Sequence, residues 1–258
     1  GLIHLGHVAF FGIGAYTSAL LTLKGVPFPI AFISAGLIAS ISGFVLANIT
    51  NKLKGDYLAL ATLGFSLVMY SIFINWGSVT NGPGGLAAIP RPNIFGLQIV
   101  SNTFYLVFAL TICILSVLII SKIVHSRYGK LLEAVRDDAI GTEALGKNIY
   151  RLKYQSMMIS AFFAGIAGSL FAHYISYINP ASFYIHDIIV FLTIVIVGGL
   201  ASIKGSAVAA IIIIVLPELL RFVNIPSYMI GTMQQILYAG ILIAILMIRP
   251  RGIFGRID

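Results

Sequence analysis

Apolar residues run along this chain in blocks of about 20, the length needed to cross a bilayer as a helix. The blocks fall at 8–23, 29–50, 57–76, 99–122, 154–178, 187–203, 205–223 and 228–248. One polar island interrupts them, residues 123–153, reading IVHSRYGKLLEAVRDDAIGTEALGKNIYRLK. With Lys122 it holds seven basic residues and four of the eight acids in the chain, so it must lie in water between two spans. Inside it, Leu132, Val135, Ala139 and Ile140 recur at helical spacing, and Ala144 and Leu145 continue the series. Gly141 is expected to interrupt that pattern and Gly146 to stop it. The spacing predicts one or two short helices with an apolar face. Such helices are marginal alone in water, so the face calls for a membrane surface or a partner; the competing reading is an ordinary solvated loop.

The blocks define the fold class: all-α, a polytopic transmembrane helical bundle of about eight membrane segments. Segment 8–23 is short and glycine-rich, and 187–203 and 205–223 are separated only by Lys204 and Gly205. These three are candidates for broken or re-entrant helices, a reading that Gly198, Gly199, Pro217 and Pro226 support. The longest connection on the other side, 77–98, carries Gly82, Pro83, Gly84, Gly85, Pro90 and Pro92 and predicts a series of turns without helix. It reads equally as a docking surface or as a plain connector.

Composition agrees. Of 258 residues, 59% are hydrophobic and 9% charged, and the mean hydropathy is +1.02. The net charge of +8 comes from basic residues clustered at span ends, which points to topology and anionic lipid heads and not to nucleic acid. If 123–153 is cytoplasmic, Lys52, Lys54, Lys204, Arg249, Arg251 and Arg256 share its side. The opposite side then holds only Lys24, Arg91 and Arg221. Eight crossings put Gly1 and Asp258 both in the cytoplasm. Gly1 is not a start methionine and no signal peptide is recognisable, so a truncated N-terminus is expected.

Two small-residue stripes mark residues 160–172: Ser160, Ala164, Gly168 and Ala172, and beside them Ala161, Gly165 and Ser169. This spacing predicts close helix packing, against this chain or another subunit. Thr62, Ser66 and Tyr70 form a polar stripe on the third segment, read either as interhelical hydrogen bonding or as pore lining, with the first favoured.

Catalytic chemistry is not legible. Cys113 is the only cysteine, so neither an intrachain disulfide nor a cysteine metal site is expected. His4 and His7 are a weak metal pattern, and His173 reads as hydrogen-bonded or snorkelling. There is no phosphate-binding loop. Asp56, Asp187, Glu218 and Asp258 all fall near segment ends, and Glu218 with Arg221 reads as a local pair. An ion-coupled carrier would need a carboxylate deep in a span. No catalytic residue, metal or cofactor is assigned.

Longer motifs add a resemblance. GHVAFFGIGAY at 6–16, GDYLALATLGF at 55–65 and NGPGGLAAIPRP at 81–92 resemble the M-type (LivM) permeases of branched-chain amino-acid ABC importers. The likeness continues through the island, SAFFAGIAGSLFAHY, VGGLASIKG, LPELLR and RPRGIFG, in order along essentially the whole chain. The resemblance implies one permease domain over 1–258, with 123–153 as a cytoplasmic coupling loop within it, in a bacterial or archaeal inner membrane. It implies two separate ATPase subunits, a second homologous permease subunit and an extracytoplasmic solute-binding protein as partners, and no enzymatic activity in this chain. Arg136, Asp137, Asp138, Ala139, Ile140, Glu143, Ala144, Leu145 and Gly146 then match the ATPase-coupling stretch, with Asp138 and Glu143 the charges whose reversal should weaken docking. Arg91 becomes a contact for the binding protein. Import of urea or short amides is the close alternative; an ion-coupled carrier, a channel or a scaffold without transport are the distant ones.

Overall fold

A computed structural model describes residues 4–53, 55–94, 96–199, 201–218, 227–248 and Gly252. The helices are α1 (His7–Leu23), α2 (Phe28–Thr50), α3 (Gly55–Asn75), α4 (Gly77–Thr80), α5 (Asn102–Val124), α6 (Arg127–Asp137), α7 (Ala139–Ala144), α8 (Ile149–Ile175), α9 (Ile185–Gly198), α10 (Ile203–Glu218) and α11 (Ser227–Ile248). Short 3-10 turns at Gly82–Gly84 and Pro180–Phe183 and a two-residue antiparallel hairpin, β1 (Asn93–Ile94) with β2 (Leu97–Gln98), complete the order. The protein is a polytopic helical bundle. Among the described residues five segments are long and apolar enough to cross a membrane: α2, α3, α5, α8 and Pro180–Gly198. His7–Leu23, Ile203–Val215 and Gly231–Ile245 are shorter apolar helices.

Two compact units divide the chain at Tyr184 and Ile185. The first is built on α1, α2 and α8. Lipid tails are as apolar as leucine, so helices in a membrane associate through close packing and not through a hydrophobic drive. Alanines Ala15, Ala19, Ala31, Ala35, Ala39, Ala161 and Ala172 accordingly have no exposed surface. A Cβ on Gly165 would lie 2.6 Å from the Ala39 Cβ and 2.7 Å from the Ala35 carbonyl oxygen of α2. On its other side, a Cβ on Gly14 of α1 would run into the Gly165 backbone, and one on Gly168 into the Phe11 carbonyl. The small-residue stripe of α8 is therefore wedged between two helices of its own chain. By contrast α5 buries only Tyr105, whose hydroxyl donates to the Leu170 carbonyl at 2.6 Å.

The connection between α3 and α5 is more ordered than a series of turns, and it contains helix: α4, a 3-10 turn and the hairpin. Part of its polar backbone pairs with the 176–179 segment. Leu86 and Ile178 exchange backbone bonds at 2.8 and 3.0 Å, and Ile89 N–H donates to the Ser176 carbonyl at 3.1 Å. Gly85 sits at φ +66°, and a side chain there would also strike the Ile178 carbonyl, so glycine is required on both counts. Arg91 donates to the Val100 carbonyl at 3.1 Å and lies over the Tyr105 ring at 5.9 Å, closing the base of the loop.

The second unit packs α9, α10 and α11 around Val197, Ala209, Ile213 and Tyr238. The expected break at Lys204 and Gly205 is displaced. α9 ends at Gly198 and α10 begins at Ile203; between them Gly199 and Ala201 have φ of 101° and 65°, and Lys204 and Gly205 lie inside α10. Ser202 decides this: its hydroxyl accepts from Gly205 N–H at 3.1 Å and starts the helix. Arg221, Pro226, Lys54, Arg249, Arg251, Arg256, Gly1 and Asp258 lie outside the described residues, so the Glu218–Arg221 pair and the terminal cluster do as well.

Candidate functional site

The polar island folds as two short helices set by three caps. Ser126 accepts from Gly129 N–H at 3.4 Å and begins α6; a Cβ on Gly129 would meet the Val124 carbonyl, so glycine lets α6 turn sharply off the end of α5. The Tyr128 hydroxyl donates to the Leu152 carbonyl at 3.3 Å and ties α6 to α8. Burial raises the Tyr128 phenol above its ordinary range.

The interruption falls at Asp138, not at Gly141. Asp138 has extended backbone (φ −144°, ψ 97°), and its carboxylate accepts from Gly141 N–H at 2.9 Å, capping α7. Gly141 lies inside α7, and its missing side chain leaves room for that carboxylate. Thr142, buried, donates from its hydroxyl to the Asp138 carbonyl at 2.7 Å. The end of α7 is a Schellman motif: Gly146 N–H donates to the Glu143 carbonyl at 2.8 Å and Lys147 N–H to the Thr142 carbonyl at 3.3 Å, with Gly146 at φ +76°. Asn148 caps α8 by accepting from Arg151 N–H at 2.9 Å.

These caps hold α7 with Ile140 77% and Leu145 81% exposed. The expected single apolar face is thus divided. Leu132, Val135 and Ala139 are half-buried, whereas Ile140 and Leu145 project as two uncovered apolar side chains. Glu143, Ala144 and Gly146 beside them are exposed. Arg136 Nε donates to Asp137 Oδ1 at 2.7 Å, and this bond holds the Asp137 carboxyl below the usual range. The surface offers no nucleophile with an adjacent base. It leaves two apolar side chains uncovered with charges around them.

Because Asp138 caps α7, reversing its charge would remove two things at once. Asp138→Ala should cost α7 about 1 kcal/mol, read as roughly fivefold faster hydrogen exchange of its amides, whereas Asp138→Asn should leave exchange unchanged. Equal exchange in the alanine variant would show that the cap is not what holds α7. Glu143→Lys is therefore the cleaner test of charge.

Within the membrane segments, Thr62 and Ser66 hold the backbone of one residue on both sides. Leu5 N–H donates to the Thr62 hydroxyl at 2.9 Å, and the Ser66 hydroxyl donates to the Leu5 carbonyl at 3.0 Å. Both hydroxyls satisfy non-helical backbone before α1, as irregular backbone at membrane depth demands. Tyr70 instead meets the Tyr184 ring at 4.4 Å. His4 and His7 rings lie 4.3 Å apart, but His4 Nδ1 accepts from Gly6 N–H at 2.9 Å and His7 Nε2 is bonded to Ser160 at 2.8 Å. No group of three metal-ligating side chains occurs among the described residues.

Sequence reading missed one relay. His173, fully buried, donates through Nδ1 to the Pro90 carbonyl at 2.7 Å. Its Nε2 then accepts from the Ser18 hydroxyl at 2.8 Å, and Ser169 donates to Ser18 at 2.7 Å. The relay joins α1, α8 and the 77–98 loop. His173 carried a signal as a hydrogen-bonded histidine, and its burial rules out the snorkelling alternative; Ser169 carried one as a member of the small-residue stripe, but neither pointed to its partner.

Residues 1–248 match the family described as branched-chain amino acid transport system, permease component. The chain is 35% identical to the high-affinity branched-chain amino acid transport system permease protein LivM of Escherichia coli K12, over 98% of this chain and 64% of that protein. A probable LivM permease of Methanocaldococcus jannaschii is 29% identical over 86% of this chain and 67% of its own length. The permease protein LivH of Salmonella typhimurium LT2 is 27% identical over 99% and 86% respectively. The chain thus spans 64% of the length of the first of these relatives. No solved structure matches it.

Proposed function

The chain belongs to the branched-chain amino acid transport permease family, and from that membership we propose that it is a membrane-spanning subunit of an ATP-driven importer of branched-chain amino acids. The observation that carries the mechanism is α7, a capped six-residue helix with Ile140 and Leu145 uncovered. Two apolar side chains held this far into water cost free energy unless a partner buries them.

In this reading 123–153 faces the cytoplasm, α7 inserts into a groove on an ATPase subunit, and both ends of 1–258 lie on the same side. The basic excess of the island supports that side. A second, homologous permease completes the pore, as the likeness to both LivM and LivH relatives suggests. The ordered 77–98 loop, stitched to 176–179 and relayed through His173, presents a fixed surface to a solute-binding protein. Arg91 serves that surface from its base. Force applied to α7 reaches α8 through the Tyr128–Leu152 bond and the Asn148 cap, and α8 moves with α1 and α2 because Gly165 and Gly168 leave no slack between them. Solute choice rests mainly with the binding protein, so this chain needs no deep ionisable ligand.

The test is uptake by the full assembly in proteoliposomes. Leucine uptake should require ATP and persist when proton and sodium gradients are collapsed. Uptake that follows an ion gradient without ATP would overturn the reading; preference for urea over leucine, valine and isoleucine would replace the solute alone.

A further inference from the structure

We propose that the cleft between the end of α5 and the first half of α8 is a binding site for one anionic phospholipid. The cleft has a volume of about 590 Å³ and is lined by Ile123, Ser126 and Tyr128 on one side and Gln155, Met158 and Phe162 on the other, among its nearest residues.

Its chemistry is graded along one stripe of α8. Arg151, Gln155, Ile159 and Phe163 follow at four-residue spacing, so they lie one above another on the same face. The order runs from cation through amide to aliphatic and aromatic, over about 18 Å at 1.5 Å per residue. That matches one leaflet of a ~30 Å hydrocarbon core plus its boundary. A phospholipid has the same order of parts: anionic head, polar glycerol esters, acyl chains.

The mouth is basic. Lys122 precedes the lining residue Ile123, and Arg127 lies between Ser126 and Tyr128. Lys122, Arg127, Lys130 and Arg151 are exposed. No acid occurs between Lys122 and Leu132, or in α8. A cluster of this kind at a span end attracts anionic head groups.

Gln155 to Phe163 spans about 12 Å along the helix, most of the roughly 15 Å depth of one leaflet. The proposal rests on the cytoplasmic placement of 123–153 for the choice of leaflet, but the cleft itself does not depend on it.

The experiment is native mass spectrometry of the complete assembly, taken from mixed micelles with equal phosphatidylglycerol and phosphatidylcholine. The wild type should retain one phosphatidylglycerol per copy of this chain in preference to phosphatidylcholine. Arg151→Gln should weaken that retention about fivefold, the effect of one basic residue at an anionic lipid surface. Ile159→Trp, which puts an indole into the middle of the lining, should weaken it while the subunits stay together. Equal retention of both lipids, or phosphatidylglycerol retention unchanged in both variants, would overturn the proposal. So would loss of a protein subunit in Ile159→Trp, since it would make the occupant a protein. Neither readout involves ATP or uptake, so failure of the transport reading leaves this result standing and separable.

Discussion

Replacing Ile140 and Leu145 together by serine is expected to abolish copurification with the ATPase subunits while the permease still inserts and folds. The two side chains are 77% and 81% exposed, so their removal opens no cavity in this chain. The elements that shape α7 are elsewhere: the Asp138 cap, the Thr142 bond to the Asp138 carbonyl and the Schellman turn at Gly146. Serine keeps all three. Buried apolar anchors at an interface are commonly worth about 2 kcal/mol each, and losing both would weaken association roughly a thousandfold. Uptake should fall with it. Pull-down of the ATPases by the double variant, scored beside its yield in membranes, is the direct measurement. Normal pull-down with normal uptake would show that α7 is not the point at which work enters.

The second large effect is expected inside the bundle. Gly168→Leu should reduce the yield of folded, monodisperse protein to a small fraction of wild type. A Cβ at this position meets the Phe11 carbonyl, which is backbone and cannot rotate aside. Overpacking typically costs 1–3 kcal/mol, and about that much or more is expected here because α1 must move as a whole. Gly165→Leu should behave alike, pressing on α2. Gly64→Leu is the matched control, since nothing lies within 4 Å of a Cβ there. Fluorescence-detected size exclusion of the three variants decides the matter. Similar profiles for Gly168→Leu and Gly64→Leu would mean that close approach of α1 and α8 does not hold this unit together.

The existence and order of the eight apolar helices was legible, because hydrocarbon requires long apolar runs and water requires the charged island; five of them, among the described residues, are long enough to cross. Segment ends were less so. The break near Lys204 was placed at the charge, but a lysine near a helix end can extend its head toward water while its backbone stays helical. Ser202, with glycine three residues later, was the better signal. The same holds in the island. Gly141 looked like the interruption because glycine disfavours helix, yet Asp138 is the stronger punctuation: its carboxylate offers the backbone an alternative partner. Asp138, Ser126 and Asn148 each precede a helix and could have been read as caps from their residue type alone.

Other features had no local signature. Ile140 and Leu132 are alike in a periodic pattern, but one is exposed and the other half-buried because α6 folds back through Gly129 while α7 is re-aimed at Asp138. His173 and Pro90 are 83 residues apart, and Leu5 and Thr62 are 57 apart. Nothing in either neighbourhood announces the other.

Amino-acid order by itself settled what each stretch must avoid: apolar runs avoid water, clustered charges avoid hydrocarbon, and small residues at four-residue spacing allow close approach. These are properties of a residue against its solvent, and they are local. Which helix takes the space that Gly165 leaves, which carbonyl receives the proton of His173, and which two side chains of the island remain uncovered were decided only by tertiary structure. Each depends on two distant segments meeting at distances of a few ångströms, and short-range contact of that kind has no periodicity to read along a single strand of sequence.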